Sequence, residues 1–116
     1  MPELSEAQRR ELEALRQAYQ LELSEKVAAI ARTAAGLERA NWDTAAMRAL
    51  HHLVHRLAGS SAIWGYTTVS KVAGELEDLV LSALQGTRGR TEELSGEVRR
   101  LLAALQHAVL APRAPC

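Results

Sequence analysis

Residues 44–64 read Thr-Ala-Ala-Met-Arg-Ala-Leu-His-His-Leu-Val-His-Arg-Leu-Ala-Gly-Ser-Ser-Ala-Ile-Trp. Met47, Leu50, Val54, Leu57, Ser61 and Trp64 fall at steps of 3, 4, 3, 4 and 3, the spacing of a helix that turns one stripe toward other helices. Asp43 or Thr44 can cap its start, and Gly65 can end it. The same period continues on both sides. Upstream, Leu12, Leu15, Tyr19, Leu23, Val27, Ile30, Ala34 and Leu37 recur every three or four residues. Ser24, followed by Glu25, can act as an internal cap, which leaves one long helix or a short one followed by a longer one. Gly36 and the segment Arg39–Thr44 mark the break before the quoted stretch.

Downstream, Val69, Val72, Leu76, Leu79 and Ala83 repeat the spacing, and Gln85–Arg90, with two glycines, reads as a turn-rich loop. A last helix from about Thr91 to Ala108 places Leu94, Val98, Leu101 and Leu105 inside, with Val109 at its end. No strand pattern competes. Short connections between amphipathic helices predict an all-α fold, an antiparallel up-down four-helix bundle over residues 1–110, with a short extra N-terminal helix if Ser24 caps. Residues 111–116 hold two prolines and no period, and read as a flexible tail.

Composition agrees and removes several functions. The chain has 116 residues, 47% of them hydrophobic but only 3% aromatic and none Phe, so its apolar mass is aliphatic and helix-favouring. One domain is the expectation at this length. Fourteen basic and fourteen acidic residues cancel, without the basic excess that nucleic-acid binding asks for. The single cysteine, Cys116, allows no internal disulfide. No apolar run reaches the length of a membrane span, and no secretory leader is visible, so a cytoplasmic location is expected.

Three of the four histidines, His51, His52 and His55, stand within five residues. At about 100° per residue, Val54 and Leu57 fix the buried direction and place His51 and His55 beside the seam, with His52 and Arg56 further out. Ordinary surface histidines are the simplest reading. A metal site is a second, since residues 51 and 55 can clamp one ion, but no thiolate lies near and no Glu stands between them as in a zinc-protease helix. Acid-base or nucleophilic catalysis is a third, yet Ser60 and Ser61 project away from His55.

The fourth reading rests on the residues after His55. His-x-Leu-x-Gly-Ser-Ser-x-x-x-Gly over residues 55–65, with Asn41-Trp-Asp-Thr44 before it and Gly74-Glu-Leu-Glu77 after it, resembles the histidine phosphotransfer (HPt) domains of multistep phosphorelays. The likeness runs from about Leu12 to Ala108. It implies that His55 accepts a phosphoryl group from an aspartyl phosphate on a receiver domain and passes it to another. It also implies response-regulator receivers, and a hybrid sensor kinase, as partners. The divalent ion would sit on the receiver, and this chain would bring no cofactor or metal of its own. No kinase activity of its own is expected, since Arg56 after His55, with no proline near, differs from the phosphosite of dimerising histidine kinases. A monomer is the expectation, as phosphotransfer domains need not dimerise.

A glycine inside a helix costs about 1 kcal/mol against alanine, so Gly59, one turn above His55, asks for a reason. It keeps the approach to His55 open, or else lets two helices pack closely, as expected for Ser61. The sequence departs from the resemblance at Ala58, where the family usually has lysine beside the phosphoryl group. Arg48, His51, His52 and Lys71 are the candidate replacements, with His52 or Arg48 preferred. His51, His52, Gly59, Ala62 and Ile63, with Tyr66 near the turn, are expected to line the docking face, unless Ile63 packs on the N-terminal helix. Trp42 and Trp64 read as core residues, and Glu75, Glu77 and Asp78 as a solvated helix face. The missing lysine keeps an alternative open: a helical adaptor that binds receivers without transferring phosphate.

Overall fold

The computed structural model describes residues 3–86 and 92–110. Four helices follow one another: α1 (Glu6–Arg39), α2 (Thr44–Ile63), α3 (Thr67–Leu84) and α4 (Glu92–Ala108). Each packs on its neighbours in sequence and α4 closes on α1, with no close backbone approach across the diagonals among the described residues, which is the expected up-down ring. One apolar cluster joins all four helices, and Leu23, Met47, Leu50, Val54, Leu76 and Leu105 are completely buried in it.

The choice left open at Ser24 resolves to one helix. Nothing between Ser5 and Gly36 breaks the period, and Ser24 is an exposed position within α1. The cap lies at Ser5, whose hydroxyl accepts from the Gln8 N–H (3.1 Å) while the Gln8 side chain accepts from the Ser5 N–H (2.8 Å). At 34 residues α1 is about 51 Å long, against about 30 Å for α2, so its first turns overrun the bundle. This explains why Leu15, expected in the seam, is 56% exposed. The first buried residue of α1 is Tyr19.

Both tight turns close in the same way. At the end of α2 the Tyr66 N–H donates to the Ser61 carbonyl (2.8 Å) and the Gly65 N–H to the Ala62 carbonyl (3.2 Å), with Gly65 left-handed at φ 85°. At the end of α1 the Trp42 N–H donates to the Leu37 carbonyl (2.9 Å) and the Asn41 N–H to that of Glu38 (3.2 Å). These are paired Schellman bonds, with Asn41 in the glycine position. Trp42 is itself left-handed, at φ 60°, and its burial in the core offsets that strain. Asp43 then caps α2, its carboxylate accepting from the Ala45 N–H at 2.8 Å and the Ala46 N–H at 3.2 Å.

Helix α3 lies between α2 and α4 and so buries a wider stripe than a single seam. Ala73 and Val80 join Val69, Leu76, Leu79 and Ala83 inside, while Val72 is half-buried. In α4, Leu94, Val98, Leu101 and Leu105 are buried as expected, and Val109 packs at the margin. Most of the expected loop, the expected start of the last helix at Thr91 and the tail over 111–116 lie outside the described residues.

Candidate functional site

Val54 and Leu57, both buried, fix the rotation of α2 and turn His55 outward, with 67% of its side chain exposed. The ring is nevertheless held. Its Nδ1 lies 2.5 Å from Oε2 of Glu77 on α3. A carboxylate can only accept, so Nδ1 carries the proton and donates, and the lone pair of the neutral ring is left on Nε2. Position and tautomer are set by one bond, and Nε2 points away from it.

Glu77 is placed by its neighbours. Leu76 is fully buried beside it, and one flank of α3 lies against α2, where the Ser70 hydroxyl donates to the Ala58 carbonyl (2.8 Å). The Glu77 side chain is only 21% exposed, and its Oε2 lies 3.5 Å from Nε2 of His51. The His51 and His55 rings are nearly parallel, with centroids 6.0 Å apart and 14° between planes. One carboxylate oxygen thus faces two imidazoles on successive turns of α2.

The two explanations of the Gly-Ser-Ser run separate cleanly. A methyl group built at Gly59 would meet nothing within 4 Å, so close helix packing does not require glycine there. Open space does lie in front of it, one turn above His55. Ser61 is buried on the seam, and its hydroxyl is satisfied by the Leu57 carbonyl at 2.6 Å. Ser60 turns toward α1, where its hydroxyl lies 2.8 Å from that of Tyr19. Burial raises the Tyr19 hydroxyl above its ordinary value, with the Ser60 hydrogen bond opposing and nearby Tyr66 and Glu22 adding to the rise. Tyr19 is therefore a neutral hydrogen-bonding partner there, stacked on Trp64 at 5.8 Å.

The remaining expected residues divide. Arg48 and His52 are exposed on the outer face of α2, Arg48 two turns from His55, and neither makes an ion pair among the described residues. Lys71 is exposed on α3. Ala58 is half-buried against the core and faces Ser70. Ala62 is exposed, and Ile63 is 81% exposed rather than packed on α1. Tyr66 does not belong to the docking face: it is 7% exposed, drawn inward by the turn at Gly65 and packed 5.7 Å from Tyr19. His51, expected both as a replacement for the lysine and at the docking face, is half-buried beside Glu77. Among the described residues no group of three or more His, Cys, Asp or Glu is placed to hold a metal ion, and no helix is long and apolar enough to cross a membrane.

The sequence pattern puts Glu77 on a solvated face, and the structure corrects this. A signal for its true place does exist. Counted outward from Trp64 at the α2–α3 turn, Ala58 and Ser70 are six residues away on either side, and His51 and Glu77 thirteen. Antiparallel neighbours joined by a tight turn meet at such equal distances, which sets Glu77 against the histidine pair.

Four antiparallel helices thus carry His55 on an exposed face of α2, with its ring held by Glu77 of α3. The family model described as the Hpt domain matches residues 3–108, and the chain belongs to that family. No curated protein matches the chain. Membership gives it a histidine phosphotransfer role in phosphorelays, with response-regulator receiver domains as the general class of partner.

Proposed function

We propose that the domain carries the phosphoryl group on Nε2 of His55. The supporting observation is the bond from Nδ1 to Glu77, which leaves Nε2 as the free nucleophile on an exposed ring. In the forward step Nε2 attacks the phosphorus of a receiver's aspartyl phosphate, the N–P bond forms, and the P–O bond breaks to release the aspartate carboxylate. The imidazole becomes cationic as this bond forms, and the Glu77 carboxylate at Nδ1 stabilises that charge. A second receiver aspartate then takes the group by the reverse chemistry. In-line approach of donor and acceptor needs an unobstructed path to Nε2, and the open space at Gly59 provides it.

The divalent ion that such a transfer uses belongs to the receiver, and this chain contributes the nucleophile and its orientation. Ile63 and Ala62, exposed about one turn beyond Gly59, supply apolar surface for docking, with His52 and Arg48 at the polar margin. Alanine at position 58, in place of lysine, keeps the adaptor as the alternative, and one experiment separates the two. The protein is incubated with a receiver domain carrying radiolabelled aspartyl phosphate. Acid-labile, base-stable label on wild type and none on His55→Gln is the expected result. Label that persists unchanged on His55→Gln would refute the assignment, and binding of the receiver without any label would establish the adaptor.

A further inference from the structure

A phosphoryl group on His55 brings roughly two negative charges to a place that already holds the Glu77 carboxylate. A counter-charge is needed, and the position that the family resemblance reserves for it is Ala58. Arg48 stands two turns down α2 and Lys71 on the outer side of α3, and neither is paired with Glu77. His51 is different. Its Nε2 faces the Glu77 carboxylate at 3.5 Å, its ring stacks on that of His55, and its side chain is only 29% exposed.

Helix geometry explains why this side chain can serve. Residues 51 and 58 are seven apart, which returns a helix to within about 20° of the same direction. His51 therefore stands on the same α3-facing flank of α2 as Ala58, one turn below His55 instead of one turn above.

We propose that His51 is the titratable counter-charge of the phosphosite, replacing the fixed cation that Ala58 cannot provide. The proposal rests on His55 as the phosphoacceptor. In the unmodified protein the Glu77 carboxylate bonds His55, and His51 stands off at 3.5 Å. When the phosphoryl group arrives, His51 takes up a proton from solvent, pairs through Nε2 with Glu77, and balances the added negative charge. Phosphorylation is then linked to proton uptake, and by reciprocity a lower pH within the neutral range favours the phosphorylated histidine over the receiver's aspartyl phosphate. Glu77 from α3 and His55 from α2 face His51; Arg48 and His52 are its charged and titratable neighbours along α2, and Asp78 of α3 borders the groove toward α4. Helix α1 lies on the other flank of α2, where Lys26 and Arg56 border a separate groove, and among the described residues the backbones of α2 and α4 do not come close.

The test is the equilibrium between phosphorylated His55 and a phosphorylated receiver, followed between about pH 6.5 and pH 8, the range in which a histidine changes charge. For wild type the share on His55 is expected to rise several-fold toward the lower pH. His51→Gln should hold a low share across the range, and His51→Lys, with a permanent charge, a high one. Nitrogen NMR of wild type should show the His51 ring gaining a proton on phosphorylation with phosphoramidate. A His51→Gln protein that keeps the wild-type pH dependence, or a His51 ring whose protonation does not change, would overturn the proposal while leaving His55 as carrier. Failure of phosphoramidate to label His55 at all would instead overturn the carrier assignment on which it rests.

Discussion

Replacing Glu77 by glutamine tests the orientation of His55 with little change in shape. The amide oxygen of the introduced glutamine can still accept from Nδ1, but the charge that steadies the cationic ring in the transition state is gone. Hydrogen bonds to charged groups contribute about 1.5–3 kcal/mol and neutral ones about 0.5–1.5 kcal/mol, so the difference is on the order of 1 kcal/mol. His55 is two-thirds exposed, and solvent screening holds the loss near that lower figure. A loss of about 1 kcal/mol in transition-state stabilisation slows transfer roughly fivefold. Glu77→Ala removes the acceptor as well, so the ring is free to rotate and to change tautomer. A further loss of about tenfold is expected, with part of the label moving to Nδ1. The assay is a rapid-quench time course with a phosphorylated receiver in excess, alongside denaturant unfolding. Stability should change by no more than about 0.5 kcal/mol, because the pair lies at the surface. Transfer at the wild-type rate by Glu77→Ala would refute the view that this carboxylate prepares the nucleophile.

Gly59→Ala should stabilise the fold by about 1 kcal/mol in urea unfolding, since the added methyl meets nothing. Gly59→Leu, in contrast, should slow transfer from a receiver while leaving labelling by small phosphoramidate nearly unchanged. Ile63→Glu should leave unfolding unaffected, because the side chain is solvated, and weaken receiver binding about tenfold in titration calorimetry. Tyr19→Phe removes the hydrogen bond to Ser60 and should cost about 1 kcal/mol. In wild type the raised Tyr19 value means that the unfolded chain loses the phenolic proton first. That share of stability is complete below about pH 10 and falls as pH rises past it. Tyr19→Phe should lack this alkaline loss when unfolding is measured against pH.

The helical seam spacing carried most of the fold because four amphipathic helices leave one economical arrangement. Met47 to Trp64 marked α2, Gly65 marked its end, and of the two caps offered, Asp43 and Thr44, the structure uses Asp43. Leu15 showed the limit of periodicity: the pattern says which way a residue faces, and burial depends on whether another helix reaches that far. Ser24 showed another, since a serine followed by an acidic residue resembles a cap wherever it stands, while the helix continues if nothing interrupts its apolar steps. At the candidate site, the outward direction of His55 and the open space at Gly59 were legible because both lie on a single helix with fixed geometry. Glu77 was not, because its role depends on the register between α2 and α3, which the Ser70–Ala58 bond and the turn at Gly65 set together. Tyr66 was misplaced for the same reason, as the direction in which a turn delivers the next side chain is a property of three dimensions.

The most direct test of His55 Nε2 as carrier is a proton–phosphorus correlation spectrum of the protein phosphorylated by its receiver. It reports both which histidine bears the phosphorus and which ring nitrogen. Coupling to both carbon-bound protons of the His55 ring, as phosphorus on Nε2 requires, is the expected result. Phosphorus on His51 or His52, or on Nδ1 of His55, would contradict it.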